Sequence, residues 1–114
     1  MRTLLVAAAL ALAAPTVTAA PARLLVGAKE FQLTLSRASI KAGPAVIQLA
    51  NYGEDTHDLR LRRIGGTRIY RITTVPPGNS GEVSAKLLVG TYRLWCSLAN
   101  HAALGMRTTL VVRR

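Results

Sequence analysis

The 114-residue sequence has a single cysteine, which excludes an intramolecular disulfide framework and any four-cysteine zinc or iron–sulfur site. Aromatic residues make up only 4% of the chain, so a core must be built from aliphatic side chains, which favours β-structure where apolar and polar residues alternate. No apolar run is long enough for a mature transmembrane helix. Acidic residues number 5 against 15 Lys and Arg, for a formal charge of +10. Because half of the residues are apolar, a disordered chain is excluded and one packed domain is predicted.

The first 22 residues have the layout of a secretory signal peptide. A short basic start containing Arg2 is followed by an unbroken apolar run from Leu4 to Ala14, then by Pro15 and small residues. We therefore expect cleavage after Ala22, with residues 1–22 as the signal peptide and residues 23–114 as the mature domain. An uncleaved N-terminal anchor is the alternative. The expected location is the periplasm or another exported, oxidising compartment.

The mature chain alternates apolar and polar residues with a period of two rather than 3.6. In residues 31–35, for example, Phe31, Leu33 and Leu35 are separated by polar residues. Further strands are predicted over residues 45–50, 57–62, 69–75, 83–87, 92–96 and 108–112, with turn sequences between them. About seven short strands and no helix-length periodic segment predict an all-β fold, a mostly antiparallel sandwich or barrel.

The residues with metal-binding chemistry are concentrated between the last two predicted strands. Cys96, His101 and Met106 form a Cys-x4-His-x4-Met pattern, and His57 begins a strand far upstream. The chain has no other cysteine or histidine. One thiolate, two imidazoles and a nearby thioether are the ligand set of a mononuclear blue-copper centre. The sequence therefore predicts one copper ion bound by these four residues.

Zinc and cysteine-protease chemistry are the competing interpretations of the same residues. Zinc accepts Cys and His, but its structural sites usually carry more cysteines and it has little use for a thioether. A catalytic zinc could take a general base from Glu54, Asp55 or Asp58, which leaves Met106 without a role. A protease would need an exposed, activated Cys96 thiolate and an oxyanion hole, and nothing in the sequence marks one. We therefore expect copper and no enzymatic activity.

Several segments of the sequence, including the predicted ligands, resemble the small blue (type 1) copper proteins of the cupredoxin family. The segments that carry the resemblance are Lys41-Ala42-Gly43-Pro44, Asn51-x-Gly53, His57-Asp58-Leu59, Pro77-Gly78, Gly90-Thr91-Tyr92 and the loop from Cys96 to Met106. The resemblance implies a Greek-key β-sandwich with the copper at one end. It implies equatorial ligation by His57, Cys96 and His101 and axial ligation by Met106. The loop spacing matches the rusticyanin and sulfocyanin pattern.

The resemblance also implies roles for residues around the ligands. Asn51 matches the asparagine whose side chain ties the histidine loop to the cysteine loop, and Tyr92 matches a tyrosine corner. The carbonyl of Thr56 is a further candidate axial donor. The edge of His101 is expected to reach the surface through an apolar patch that serves as the electron port. The residues of that patch are Ala99, Ala102, Ala103 and Leu104.

The positive charge is concentrated in one segment of the chain. Five arginines lie within residues 60–71, namely Arg60, Arg62, Arg63, Arg68 and Arg71. Such a charge speeds encounters with acidic surfaces, so we expect a redox partner protein with an acidic docking surface, or peripheral contact with an anionic membrane. Nucleic acid is not expected, because the protein is predicted to be exported and has few aromatics on which bases could stack.

The leading functional hypothesis is an exported, monomeric one-electron carrier whose copper cycles between Cu(I) and Cu(II). The alternative is a periplasmic copper-handling protein, which would use the same ligands for copper delivery, sequestration or tolerance.

Overall fold

The computed structural model describes residues 2–13 and 20–114. Residues 2–13 are exposed and contain no helix or strand. The predicted signal peptide includes Met1 and residues 14–19, which lie outside the described residues, and its cleavage stays a prediction. Cleavage after Ala22 would leave the first strand intact except for its first residue, Ala22. Among the described residues, no helix has the length and apolarity to cross a membrane.

The folded part is a sandwich of two β-sheets. The four-stranded sheet has the order β2-β1-β4-β7, and the five-stranded sheet has the order β3-β9-β8-β5-β6. The strands are β1 (Ala22–Lys29), β2 (Gln32–Leu35), β3 (Ser39–Lys41), β4 (Gly43–Asn51), β5 (His57–Arg63), β6 (Ile69–Val75), β7 (Ser80–Leu87), β8 (Gly90–Trp95) and β9 (Arg107–Arg113). Within residues 20–114, β1 with β4 and β3 with β9 are the parallel pairs, and the other pairs are antiparallel. The chain crosses repeatedly from one sheet to the other, and the predicted all-β, mostly antiparallel Greek-key sandwich is confirmed.

Alternation of side chains builds the core between the sheets. In β8, Tyr92 and Leu94 point inward while Arg93 faces solvent, and the buried Cys96, just after the strand, continues the inward-facing set. The core is almost entirely aliphatic, as the scarcity of aromatics predicted. Each fully buried aliphatic side chain contributes roughly 1.5–3 kcal/mol, so this packing holds the strand ends at fixed positions.

Three elements were not expected from the sequence. Strand β1 has buried Leu24 and Val26, but exposed Leu25 and a glycine at position 27 obscure the alternation. Strand β3 has three residues, too few for a pattern to be read. The predicted loop between the last two strands contains a four-residue helix, α1 (His101–Leu104), which is one turn long and has no periodicity of its own.

Tyr92 makes the hydrogen bond expected of a tyrosine corner. Its hydroxyl accepts the backbone N–H of Leu88 at 3.0 Å. The bond fixes the turn that leads into β8, the strand that ends at Cys96.

Candidate metal centre

Two histidines and the cysteine meet at one end of the sandwich. His57 is the first residue of β5, Cys96 directly follows β8, and His101 begins α1. The Cys96 Sγ lies 4.0 Å from His57 Nδ1 and 3.6 Å from His101 Nδ1. The three candidate ligand atoms all lie within 4.8 Å of one another, and all three residues are buried. The structure thus brings together three of the four predicted ligands.

The spacing of these atoms fits one metal ion. Metal–nitrogen and metal–sulfur bonds of about 2.0–2.3 Å at trigonal angles place donor atoms roughly 3.5–4 Å apart. The two measured sulfur–nitrogen distances of 3.6 and 4.0 Å fall in that range. The three side chains therefore form a site that can hold one metal ion.

Met106, the fourth predicted ligand, is fully buried, and its backbone is hydrogen-bonded to two of the other three residues. Its carbonyl accepts the N–H of Cys96 at 3.1 Å, and its own N–H donates to the carbonyl of His101 at 3.0 Å. Gly105 makes this closure possible, because its φ is +130° and a Cβ there would lie 2.6 Å from the carbonyl oxygen of Phe31. The backbone thus holds Met106 against both neighbouring ligands.

Glu30 fixes the orientation of His57, and nothing in the sequence pointed to it. The Nε2–H of His57 donates to Glu30 Oε1 at 2.9 Å. With the proton on Nε2, Nδ1 keeps its lone pair and faces Cys96. A carboxylate that holds the far nitrogen of a histidine in this way is a common feature of metal sites, where it sets the tautomer and the ring plane.

The position of Glu30 depends on contacts between distant parts of the chain. Its carboxylate also accepts the backbone N–H groups of Glu54, at 2.9 Å, and Asp55, at 2.7 Å. A side chain at Gly53 would displace this carboxylate from its present position. These bonds lock the loop before His57 onto the turn after β1.

The hydrogen bonds from Asp55 N–H, then from Glu54 N–H, lower the pKa of Glu30 from 4.5 to about 2, against a smaller opposing effect of burial. In the metal-free protein, folded Glu30 therefore binds fewer protons than the unfolded chain. Its contribution to the free energy of unfolding is complete above about pH 4.5 and is lost as the pH falls towards 2. Glu30→Gln should be less stable than wild type near pH 6, and the difference should shrink as pH falls through this window.

Urea denaturation of both metal-free proteins at several pH values measures the difference. Glu82→Gln, which makes the same carboxylate-to-amide change at an exposed position on β7, is the control for the loss of one charge and should lower stability near pH 6 less than Glu30→Gln does. A Glu30→Gln difference that is constant over the same range would contradict the assignment.

Asn51 holds the His57 loop, but not in the predicted way. Its side-chain amide donates to the carbonyls of Asp55, at 2.7 Å, and Val75, at 2.9 Å, and its oxygen accepts the N–H of Gly53. The predicted tie to the cysteine loop is therefore wrong for Asn51, because these bonds occupy both ends of its amide. They join the loop to the end of β6 instead.

Asp58 makes the connection to the cysteine loop. Its buried carboxylate accepts the backbone N–H of Ser97 at 2.6 Å and the hydroxyl of Ser97 through its other oxygen. Since Asp58 follows His57 and Ser97 follows Cys96, this one carboxylate couples the two ligands through their chain neighbours.

The cysteine and the second histidine lie in different surroundings. Cys96 is fully buried, and loss of solvation raises the pKa of its thiol. His101 is 9% exposed and lies at the edge of the site, with its ring 5.2 Å from that of Phe31. Ala99, Ala103 and Leu104, three of the predicted patch residues, are exposed around it, and Ala102 is half-buried. His101 thus lies between the buried thiol and an apolar surface.

Comparison with known proteins identifies the fold. No protein-family model and no curated protein sequence matches the chain. Among solved structures, auracyanin A, described as a "blue" copper protein from Chloroflexus aurantiacus, has a TM-score of 0.67 and 18% identity, and the match covers 82% of this chain and 100% of that one. Dithionite-reduced auracyanin from Roseiflexus castenholzii has a TM-score of 0.66 and 16% identity, covering 84% and 100%. A multicopper oxidase has a TM-score of 0.62 and 13% identity, covering 83% of this chain and 45% of the oxidase. The resemblance to the cupredoxin family is confirmed at the level of the fold.

Proposed function

We propose that the protein is a type 1 copper protein that carries one electron at a time. The observation that carries this proposal is the convergence of one thiol and two imidazole Nδ1 atoms at one buried place, with Met106 buried and hydrogen-bonded through its backbone to Cys96 and His101. Thiolate and thioether are soft donors that suit copper, and imidazole binds copper in both oxidation states, so this donor set fits copper better than zinc. Bound copper supplies the Cu(I)/Cu(II) couple.

The protein's contribution to electron transfer is a site that changes little between the two oxidation states. Glu30 fixes His57, Asp58 fixes the segment that follows Cys96, and backbone bonds fix Met106. Because these contacts do not involve a metal, they hold the donors in place whatever the oxidation state. Little reorganisation then opposes the gain or loss of an electron.

The same burial argues against the alternative of copper delivery or sequestration. Passing a metal ion to another protein requires a donor that the acceptor's ligands can approach and displace. His57 and Cys96 are both 0% exposed, and only the edge of His101 approaches the surface. An electron can pass through that edge, whereas transfer of the ion would require a partner's ligands to displace the two buried donors.

The likeness to a multicopper oxidase does not extend the proposal to an enzyme. The chain covers 45% of the oxidase, and its single cysteine and two histidines provide thiolate and imidazole donors for one type 1 copper site. One such ion stores one electron, so we propose a carrier without enzymatic activity.

We further propose export to the periplasm or beyond, a monomeric state, and a redox partner with an acidic docking surface. The signal-peptide layout of residues 1–22 supports export. The formal charge of +10 supports an acidic partner, since opposite charges speed encounter and orient the docking surfaces.

Copper titration tests the proposed function. Adding Cu(II) to the metal-free protein should give an intense visible thiolate-to-copper band that saturates at one ion per chain, with a mononuclear paramagnetic resonance signal. Ascorbate should bleach the band and ferricyanide should restore it. A colourless product whose Cys96 still reacts with a thiol reagent would end the proposal.

Met106→Leu should keep copper bound and raise the reduction potential. Leucine has a similar volume, so the buried position is filled at a cost below about 1.5 kcal/mol, but the weak donor is lost. An electron-pair donor stabilises the more highly charged Cu(II) more than Cu(I), so its loss should raise the one-electron potential, by about 59 mV for each tenfold change in the relative affinity for the two ions. Met106→Gln provides an oxygen donor and should shift the potential downward. Cyclic voltammetry of the three proteins measures both shifts, and a potential unchanged in both variants would exclude Met106 as a ligand.

A further inference from the structure

The outer surface of the five-stranded sheet carries a group of arginines that the metal centre does not use. They come from four adjacent strands, β6, β5, β8 and β9, and point away from the core. We call this surface the basic face, and its residues are Arg60, Arg62, Arg71, Arg93 and Arg107.

The strand register places arginines of the basic face directly opposite one another. Arg60 pairs with Arg71 across β5 and β6, and Arg62 pairs with Arg93 across β5 and β8. Directly opposed side chains have Cβ atoms about 4.5–5.5 Å apart, and like charges at that separation destabilise a sheet. The repulsion between these arginines therefore lowers the stability of the folded protein, and a bound anionic group would reduce it.

The acidic residues do not neutralise the basic face. Among the described residues, Arg60 is its only member within 4 Å of a carboxylate, with Nε 3.8 Å from Asp58, and that carboxylate is already bonded to Ser97. The Arg60 Nε is also buried without a hydrogen-bond partner. Glu82 lies on the other sheet, and Glu30 faces His57. The positive charge of this surface is thus left for an external partner.

A cleft lies on the basic face, and two of its lining residues are chain neighbours of candidate ligands. It has a volume of about 550 Å³, and its lining includes Arg62, Arg93, Trp95, Ala102 and Arg107. Trp95 directly precedes Cys96, and Ala102 follows His101 in α1. A molecule in this cleft therefore contacts the chain neighbours of two candidate ligands.

We propose that the basic face is a docking surface for the acidic surface of a partner protein. Arginine pairs with carboxylates through two parallel hydrogen bonds, and a concave cleft admits protruding Asp or Glu side chains. A lipid bilayer instead presents a smooth layer of headgroups, which matches a concave cleft less well. That the partner is a redox protein rests on the proposed function; the docking surface itself does not.

Trp95, the only tryptophan, reports on the cleft directly. The metal-free full chain is titrated with poly-L-glutamate at low ionic strength while the Trp95 emission is followed. Arg62→Glu/Arg93→Glu should weaken binding by at least about tenfold. The control, Arg37→Glu/Lys86→Glu, has the same net charge but alters exposed residues outside the basic face, and it should weaken binding less than about twofold. If the reversed pair fails to fold, Arg62→Gln/Arg93→Gln replaces it, with a smaller loss in the same direction.

Two outcomes overturn the proposal. Equal weakening by both reversed pairs would show that net charge, not this surface, binds the polyanion. Tighter binding to phosphatidylglycerol vesicles than to poly-L-glutamate, with the same dependence on Arg62 and Arg93, would assign the surface to a membrane. This binding experiment contains no copper, so a negative result would not affect the proposed copper site. Conversely, a protein that stays colourless with Cu(II) but still binds poly-L-glutamate through the basic face would reject only the redox function.

Discussion

Cys96→Ser is expected to abolish the visible copper band completely. The band requires a thiolate bonded to the metal, and a serine hydroxyl does not ionise near neutral pH. The Cys96 Sγ also lies 4.0 Å from His57 Nδ1 and 3.6 Å from His101 Nδ1, so the substitution removes the sulfur donor of the proposed site. Visible and paramagnetic resonance spectra after addition of Cu(II) measure the result.

A second variant tests whether the band requires a thiol at position 96 or only a thiol somewhere in the chain. Cys96→Ser/Ser84→Cys restores one cysteine at an exposed position on β7, outside the site, and should remain colourless. Urea denaturation should show both variants folded, since serine is smaller than cysteine and fits the same position. A full-intensity band in either variant would mean that Cys96 is not the sulfur ligand.

The ligand set could be predicted because its residue types are scarce in this chain. With one cysteine and two histidines, few combinations exist, and the Cys-x4-His-x4-Met spacing identifies the loop. The strand pattern was also readable, because a core between two sheets imposes a period of two on every strand that faces it. Both are local signals that can be read from the sequence without knowledge of the tertiary structure.

The residues that support the ligands could not be predicted, because their roles depend on contacts between distant segments. Glu30 reaches His57 only because β1 pairs in parallel with β4, and β1 was itself not expected. Asp58 and Glu54 look alike in sequence, yet one is buried against Ser97 and the other is exposed. The hydrogen-bond partner of an acidic side chain therefore becomes evident only from the tertiary structure.

The arginines show the same limit. The sequence grouped Arg63 and Arg68 with their neighbours, but Arg63 donates to the carbonyl of Val89 and Arg68 stacks over Tyr70. Arg93 and Arg107 instead join the basic face from other strands, through the register of β8 with β5 and β9. Proximity along the chain indicated the charge but not the surface on which it is displayed.

Asp58→Ala is expected to lower the free energy of unfolding by about 3 kcal/mol. The substitution removes two hydrogen bonds to a buried carboxylate and leaves the N–H of Ser97 without its acceptor, and each such bond contributes roughly 1.5–3 kcal/mol. Because Ser97 holds the segment after Cys96, the thiol should also lose its fixed position. Copper affinity and band intensity should therefore fall together with stability.

Asp58→Asn distinguishes this connection from a purely electrostatic effect. The amide has the same shape: its oxygen can still accept the N–H of Ser97, and its NH2 group can donate to the Ser97 hydroxyl. If the connection between the two ligand segments matters, Asn should cost only about 1 kcal/mol and leave the visible band nearly intact. If the negative charge beside Arg60 matters instead, Asn should behave like Ala. Urea denaturation and copper titration of the three proteins decide between the two, and wild-type stability in Asp58→Ala would show that Asp58 does not hold the cysteine loop at all.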